Sequence, residues 1–231
     1  MTRGGAAAFL AVGALGAFLG LFELYDYDVG LARATGEWIV EHGAVPRVNV
    51  MSELNAEFPF VDDKWLFHVL AHAVIDGLGW TAAVLLRMAL LGGLALLLLP
   101  RREVLGRAPG VASAVAVVAL VTAAERFAFR PELFTMLFLA VFGRALVRPA
   151  PPRAREVTLL LLLQVAWTNL HGYWVLGPIL AGAAAAGAAV DALLRREPPP
   201  WARLLLPAAL VAAAFLNPYG LGLVRAPVDI L

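Results

Sequence analysis

Two carboxylates, Asp26 and Asp28, follow the first apolar segment of the chain in the stretch YDYD. A carboxylate beside apolar surroundings loses part of its hydration, which makes it a better proton acceptor near neutral pH. Carboxylate pairs are also ligands for hard cations such as Mg²⁺ or Mn²⁺. The stretch therefore predicts a general base, with Asp28 as the first candidate and Asp26 as the second. The alternatives are a two-carboxylate metal site and two solvated acids in a loop.

Arginine side chains suited to binding an anion lie in the stretch ERFAFRPE (125–132). A guanidinium recognises phosphate oxygens in a planar, bidentate geometry and keeps its charge next to lipid. Arg130 and Arg126 are therefore candidate phosphate ligands. The alternative for Arg130 is an ion pair with Glu125 or Glu132.

Two short polar motifs, NLHG (169–172) and NPYG (217–220), interrupt apolar runs later in the chain. A hydrocarbon interior offers polar groups no hydrogen-bond partner, so such residues lie at the end of an apolar segment or face a polar cavity. His171 is a candidate phosphate donor or proton relay, and Asn169 and Asn217 are candidate substrate ligands. The alternative is that these side chains cap helix ends and form turns.

A third polar group lies within a helical pattern. His68, His72 and Asp76 recur every four residues and so share one face of a helix. They form either a metal site, which needs a further ligand that the sequence does not identify, or a polar stripe. Arg87 lies inside the next apolar segment, where an isolated charge is costly and usually paired. It is expected to pair with Asp76 or a lipid phosphate, or to extend toward the polar surface.

The composition of the 231-residue chain indicates which elements must position these groups. It is 61% hydrophobic and 15% charged, whereas soluble domains carry about 25% charged residues. Apolar blocks recur along the whole length, which predicts an all-α, polytopic helical membrane protein with a single transmembrane domain, 1–231. Its net charge is +1 and no basic stripe is interleaved with aromatics, so nucleic acid is not an expected partner. Cysteine is absent, which excludes disulfides and thiolate chemistry.

About seven apolar segments are candidates for membrane-spanning helices, although some are short against the roughly 20 residues that a span needs. The first has no small-residue cleavage site after its apolar run, so it is interpreted as an uncleaved span and not as a secretory signal. The seven segments are 6–24, 79–100, 109–124, 132–147, 157–170, 174–194 and 203–217.

Arginine is concentrated in every second connection between these segments. If the N-terminus is cytoplasmic and each segment crosses once, eleven of the 18 basic residues fall in four short cytoplasmic segments. This distribution obeys the positive-inside rule and predicts a cytoplasmic N-terminus. The eleven are Arg3, Arg101, Arg102, Arg107, Arg144, Arg148, Arg153, Arg155, Arg195, Arg196 and Arg203.

The longest segment outside the predicted spans, 25–78, then forms a large first outer loop that holds most of the acids. Residues 31–43 within it are predicted to form an amphipathic helix, and residues 64–79 a second helix after a looped return. The apolar stripe of the first helix consists of Leu31, Ala34, Trp38 and Ile39. All the polar motifs described above lie on this outer side, which predicts a site there.

Five stretches, taken in order, resemble a family of bacterial membrane glycosyltransferases with the GT-C fold. They are DYDVGLARATGEWIVEHGAVPRVNVMSE, FPFVDDKWLFHVL, RPELFTMLFLA, WTNLHGYWVLG and LNPYG. Relatives in this family include protein O-mannosyltransferases and lipid A aminoarabinose transferases. The resemblance implies a sugar donor carried on a polyprenyl phosphate and an essential carboxylate in the large first periplasmic loop. It also implies a reaction centre at the outer face of the bacterial cytoplasmic membrane.

Carried over to this sequence, the family's acidic pair falls on Asp26 and Asp28, which are the catalytic candidates. The candidate substrate-binding residues are Arg126, Arg130, Asn169, His171, Asn217, Asp62 and Asp63. The implied reaction transfers a sugar from a polyprenyl-phosphate-linked donor to a lipid, a glycan or a protein, with membrane lipid as a further partner. No metal ligand is assigned; if the acidic pair binds a cation, that cofactor is Mg²⁺ or Mn²⁺.

Two other classes of membrane protein compete with this function. A transporter or lipid flippase would carry ionisable groups near the bilayer midplane and interrupted helices in corresponding halves. Arg87 is the clear charge at such a depth. A non-catalytic structural subunit would keep the GT-C-like fold without the chemistry. The chain closes with VRAPVDIL, without a polar tail, and is expected to be the N-terminal part of a longer protein.

The predicted outer face can be tested with single cysteines, because the chain contains none. Tyr27→Cys, Ala128→Cys, Tyr173→Cys and Tyr219→Cys are expected to react in intact cells with a membrane-impermeant thiol reagent, because all four positions are predicted to lie outside. Val104→Cys, in a predicted cytoplasmic segment, is the control and is expected to stay unlabelled. A position among the first four that reacts only after permeabilisation would rule out a common outer face.

Overall fold

The computed structural model describes residues 2–22, 27–54, 56, 58–100, 105, 107–148 and 150–229, and these residues are predominantly helical. Within them, the only β-pairing is an isolated antiparallel bridge between Val48 and Pro59, where the chain between α2 and α3 folds back on itself. The predicted all-α class is therefore confirmed. The helices are α1 (Arg3–Leu19), α2 (Tyr27–His42), α3 (Trp65–Leu78), α4 (Trp80–Leu98), α5 (Pro109–Ala123), α6 (Glu132–Leu146), α7 (Ala154–Leu170), α8 (Leu176–Arg195), α9 (Trp201–Leu204), α10 (Leu206–Ala214) and α11 (Gly222–Asp229), with 3₁₀ turns at Ala124–Arg126 and Gly172–Val175.

Among the described residues, three helical segments are long and apolar enough to cross a membrane: Trp80–Leu98, Pro109–Arg126 and Gly172–Arg195. Much of their apolar surface is not covered by protein. On α5, Val111, Val115 and Val118 are 68%, 66% and 65% exposed, a stripe that is costly in water and suited to lipid. The other predicted spans are helical but shorter or less apolar, so the prediction of about seven spans is not confirmed.

Contacts between Cα atoms divide the chain into two compact units. The first comprises Met1–Glu37 and His68–Ala140, and the second comprises Trp38–Phe67 and Val141–Leu231. The single transmembrane domain inferred from the sequence stays a prediction. The buried core of the first unit is formed by α1, α4, α5 and the start of α6. Its members include Val12, Leu91, Leu94, Ala95, Leu120, Phe127 and Leu133.

Glycines on α1 let its backbone approach that of α4 closely. A β-carbon added at Gly16 would lie 2.5 Å from the Cβ of Ala95 and 2.6 Å from the carbonyl oxygen of Leu91. At Gly20 it would lie 2.8 Å from the Cα of Met88. Positions four residues apart share a helix face, so the two glycines form a small-residue contact of the kind that joins membrane helices.

Arg87, on α4, satisfies the backbone where α1 ends. The residue is 4% exposed, its Nε donates to the carbonyl oxygen of Gly20 at 3.0 Å, and its Nη2 donates to the carbonyl oxygen of Phe22. Carbonyls at a helix C-terminus lack intrahelical donors and carry partial negative charge, so a guanidinium stabilises them. Asp76, one of the partners predicted for Arg87, instead accepts a hydrogen bond from Arg33 at 2.7 Å.

The first helix of the predicted outer loop begins earlier than expected. The amphipathic helix was predicted for 31–43, whereas α2 starts at Tyr27 and ends at His42. Asp28 therefore lies in the first turn of a helix and not in a loop. A carboxylate there is favoured because the helix N-terminus carries partial positive charge.

The predicted apolar stripe of α2 is correct at Ile39 and wrong at Leu31. Ile39 is buried, whereas Leu31 is 53% exposed and Val29, Ala32 and Thr35 are buried in its place. Gly36 explains the difference, because its Cα packs against the carbonyl oxygen of His68 on α3 and leaves no room for a β-carbon. This close approach turns small side chains, and not the bulkiest apolar ones, toward the neighbouring helix.

In the second unit, α10 packs against both α7 and α8. Trp167 of α7 is fully buried and meets Phe142 edge to face, with 5.6 Å between ring centroids. Thr168 donates to the carbonyl oxygen of Ala214 at 3.2 Å. These contacts join the C-terminal ends of α7 and α10, where the two polar motifs of this unit begin.

Gly16→Ala is expected to destabilise the first unit, because overpacking of its β-carbon against α4 costs about 1–3 kcal/mol. Gly182→Ala on α8 is the matched control, since a β-carbon there meets open space and alanine is favoured over glycine in a helix by about 1 kcal/mol. Unfolding midpoints in detergent are expected to fall for the first variant and to stay or rise for the second. Equal midpoints would contradict the close contact between α1 and α4.

Candidate functional site

The first turn of α2 brings a predicted catalytic residue next to a predicted phosphate ligand. Nη2 of Arg130 lies 3.0 Å from Oδ2 of Asp28, and both side chains are open to solvent, at 39% and 64% exposure. The two residues are 102 positions apart in the sequence and belong to the same unit. A carboxylate and a guanidinium therefore share one accessible place.

Buried aromatic residues hold the turn that presents Arg130. Phe127 and Phe129 are 4% and 1% exposed, and Leu133, in the first turn of α6, is 2% exposed. The backbone N–H of Arg130 donates to the carbonyl oxygen of Ala128 at 2.8 Å, which tightens the turn. The alternation in FAFR thus anchors two side chains in the core and directs the arginine outward.

The other predicted site residues of the first unit are Arg126 and Asp26. Arg126 ends the 3₁₀ turn Ala124–Arg126 and is exposed. Asp26 lies outside the described residues, so the two-carboxylate metal site stays a prediction. Among the described residues, no group of three or more His, Asp or Glu side chains is placed to hold a metal ion.

His72 contacts Asp76, and the two do not form a three-residue metal site with His68. Nδ1 of His72 lies 2.7 Å from Oδ2 of Asp76, and Nε of Arg33 lies 2.7 Å from Oδ1. The hydrogen bond from Arg33 lowers the pKa of Asp76 from its usual value, so the carboxylate stays ionised. His68 is buried. The polar-stripe interpretation fits this arrangement, in which the stripe connects α3 to α2.

In the second unit, Asn169 links three segments through its amide. Its Oδ1 accepts from Nε1 of Trp65 at 2.8 Å, and its Nδ2 donates to the carbonyl oxygens of Val165 at 2.7 Å and Leu216 at 3.0 Å. The residue is 5% exposed. Both amide hydrogens are used, so a substrate would find only a spare acceptor lone pair. The geometry corresponds to the helix-end alternative considered for this motif.

Gly172 of the same motif lies directly against Asp63. A β-carbon at position 172 would overlap Oδ2 of that carboxylate, so the absence of a side chain allows Asp63 its place. His171 ends α7, is 7% exposed and packs on Tyr173 with 4.4 Å between ring centroids. The NLHG motif therefore ends α7, and its glycine leaves space for the carboxylate of Asp63.

The NPYG motif forms a turn that Asn217 caps. The loop after α2 is joined to this turn by hydrogen bonds. Nδ2 of Asn217 donates to the carbonyl oxygen of Ala214, and its Oδ1 accepts from the backbone N–H of Tyr219, both at 2.8 Å. Burial raises the pKa of Tyr219 to about 12, so its hydroxyl stays protonated and donates to the carbonyl oxygen of Pro46 at 2.8 Å. Arg47 stacks over the Tyr219 ring at 4.8 Å.

Asp62 accepts hydrogen bonds from the backbone at the start of α3. The residue is fully buried, and its Oδ1 accepts from the backbone N–H of Lys64 at 3.3 Å. The backbone N–H of Trp65 donates to the carbonyl oxygen of Asp62 at 3.3 Å. The carboxylate is closed to solvent, unlike that of the neighbouring Asp63, which is partly exposed.

Two residues that sequence reasoning missed hold this second set together. Trp65 binds Asn169, 104 positions later, and Arg47 binds the carbonyl oxygen of Pro218, 171 positions later. No spacing rule connects partners so far apart. Beside Asn169 and Asn217 lies an open cavity of about 650 Å³ with mainly apolar walls.

The predicted site residues thus fall into two sets, each within its own unit. The first set joins Asp28 to Arg130 and has the groups that proton transfer and phosphate binding require. The second set contains Asp62, Asp63, Asn169, His171 and Asn217, and its described hydrogen bonds mainly secure helix ends and turns.

Comparison with known proteins returns no relative. No protein-family model, no curated protein and no solved structure matches the chain. The resemblance to GT-C glycosyltransferases stays a prediction.

Gly172→Ala is expected to destabilise the second unit by about 1–3 kcal/mol, because the added β-carbon displaces the Asp63 carboxylate. The cost is expected to shrink when Asp63→Ala is already present, since residues in contact are not additive. Gly187→Ala on α8, where a β-carbon meets open space, is the control. The check is a double-substitution cycle on unfolding midpoints in detergent; strictly additive effects would mean that the two residues do not touch.

Proposed function

We propose that this chain is a glycosyltransferase of the bacterial cytoplasmic membrane, which transfers a sugar from a polyprenyl-phosphate-linked donor to an acceptor at the outer face. The ion pair between Asp28 and Arg130 is the observation that carries the proposal. The sequence motifs supplied a base and a phosphate ligand from distant stretches, and the two side chains lie 3.0 Å apart. The acceptor is a lipid, a glycan or a protein.

The proposed step uses both members of the pair. In the resting protein Arg130 neutralises Asp28. The phosphate of the donor competes for the guanidinium, because its oxygens suit bidentate recognition, and this frees the carboxylate. The bond between the anomeric carbon and the phosphate oxygen then breaks, and its electron pair stays on the phosphate. The acceptor oxygen or nitrogen forms the new bond to that carbon, and its proton passes to Asp28.

Membrane placement is part of the proposal. Three helical segments have the length and composition of spans, and the exposed valines of α5 are suited to lipid. The arginine distribution supports about seven crossings with a cytoplasmic N-terminus, which puts Asp28 and Arg130 outside. A polyprenyl-linked donor is reachable only at such an interface, because its tail stays in the bilayer.

The competing functions have less support in the described residues. A transporter needs ionisable groups at membrane depth that respond to substrate. Arg87 was the clear candidate, and its guanidinium is committed to the carbonyls of Gly20 and Phe22. A structural subunit requires no accessible base beside a cation, whereas Asp28 and Arg130 remain exposed.

Asp28→Asn is expected to lower transfer by about 10²–10⁴-fold, because the acceptor's proton loses its base. Arg130→Ala is expected to raise the KM for the donor, because the phosphate loses its bidentate partner. The measurement is release of polyprenyl phosphate from polyprenyl-phosphate-linked mannose or aminoarabinose, in membranes that supply the acceptor. Glu41→Gln, an exposed acid on the same helix, is the control and is expected to leave release unchanged.

A charge swap separates chemistry from folding. Asp28→Arg combined with Arg130→Asp restores an ion pair, so its unfolding midpoint is expected to exceed that of Asp28→Arg alone, while release stays lost. If Asp28→Asn and Arg130→Ala both release polyprenyl phosphate at the wild-type rate, the proposed site is wrong. Transbilayer movement of the donor without release would identify a flippase instead.

A further inference from the structure

A second cavity lies far along the chain from Asp28 and Arg130, at the C-terminal end of α8 in the second unit. Its volume is about 590 Å³, and its lining includes Arg148, Arg195 and Arg203 together with Asp191 and Glu197. The arginines and Glu197 belong to connections that the arginine distribution assigns to the cytoplasmic side, and Asp191 lies at the adjacent end of a predicted span. Neither the sequence motifs nor the proposed transfer reaction uses them.

Arg195 is the most exposed of the three arginines that line this cavity. Arg148 is committed to Glu156, with Nη1 3.1 Å from Oε1 and a second contact between Nη2 and Oε2. The hydrogen bond from Arg148 lowers the pKa of Glu156 to about 2, so this pair stays ionised and neutral overall. Arg203 uses one donor on the carbonyl oxygen of Arg148 at 2.7 Å, while Arg195 is exposed.

The lining by itself is close to balanced in charge, and the excess of positive charge lies in the chain around it. The two connections that border the cavity, 144–156 and 195–203, carry seven arginines against two glutamates, and Asp191 adds one further acid. The carbonyl oxygens of Ala192 and Leu193 at the end of α8 accept from the backbone N–H groups of Glu197 and Arg196. The helix end therefore presents capped carbonyls, and the excess of positive charge comes from the arginines of the two connections.

Apolar side chains flank the cavity on the surface. Leu193 and Leu194 precede Arg195 and are 78% and 77% exposed, and Trp201 follows the proline run and is 63% exposed. A tryptophan of this kind suits the boundary between headgroups and hydrocarbon. Residues 198–200 are all proline, which fixes the rim before a ligand arrives. A ligand here meets arginine side chains beside an apolar surface.

We propose that this cavity binds the phosphate diester of an anionic membrane lipid, with Arg195 and Arg203 on the headgroup and the acyl chains along Leu193, Leu194 and Trp201. Basic pockets on the cytoplasmic side of membrane helices are suited to anionic headgroups. The flanking apolar side chains select a lipid over a free phosphate ion, which would have no use for them. The site depends on the membrane placement described above and not on the transfer reaction.

The test titrates the purified full chain in neutral detergent with dioctanoyl phosphatidylglycerol and follows binding by calorimetry. Dioctanoyl phosphatidylcholine, which has the same chains and no net charge, is expected to bind much more weakly. Arg195→Gln is expected to raise the Kd for phosphatidylglycerol about fivefold, the worth of one arginine at a lipid surface. Asp191→Asn, which removes a negative charge from the lining, is expected to lower it.

Arg225→Gln is the matched control, because Arg225 is an exposed arginine of the same unit that does not line the cavity. Three results would overturn the proposal: equal binding of the two lipids, an equal loss in Arg225→Gln and Arg195→Gln, or full displacement of phosphatidylglycerol by inorganic phosphate. The last would make the cavity a site for free phosphate. Asp28→Asn is expected to lose sugar transfer and to bind phosphatidylglycerol as the wild type does, because the two proposed sites are separate.

Discussion

Helices of a chain this apolar must satisfy their polar groups within the protein, and Arg87 shows how that requirement shapes the first unit. Its guanidinium, almost fully buried, donates to the carbonyls of Gly20 and Phe22, where α1 ends. An unsatisfied carbonyl or an unpaired charge at this depth would each cost several kcal/mol, roughly. One side chain on α4 meets both requirements at once. The glycine contact between α1 and α4 then brings the two helices close enough for the arginine to reach.

The same requirement governs the second unit, where an amide replaces the guanidinium. Asn169 uses its Oδ1 and both of its amide hydrogens to connect α3, α7 and the segment after α10. Asn217 closes the neighbouring turn in a similar way. In this unit the polar residues within apolar runs therefore serve to connect segments and to close helix ends and turns. By contrast, the side chains of Asp28 and Arg130 are open to solvent.

The helical elements were predictable from the sequence because apolar runs and their polar breaks mark helix ends. The segments at 79–100, 109–124 and 132–147 correspond closely to α4, α5 and α6. The rotation of α2 was not predictable, since it follows from the fit of Gly36 against the backbone of α3. The sequence implied that Asp28 and Arg130 belong to one site, but not that their side chains touch. Periodicity carries no information about partners 102 positions apart. Arg47 and Trp65 had no local signal at all.

The grip of Arg47 and Pro46 on the NPYG turn has a consequence for the order in which the protein is built. The hydrogen bonds that tie the loop after α2 in place end on Pro218 and Tyr219, 171 and 173 positions later in the chain. During synthesis the loop emerges long before those partners exist. These hydrogen bonds can form only after α10 and the NPYG turn have been synthesised. The loop can therefore complete these hydrogen bonds only after a further 171 to 173 positions of the chain have been synthesised.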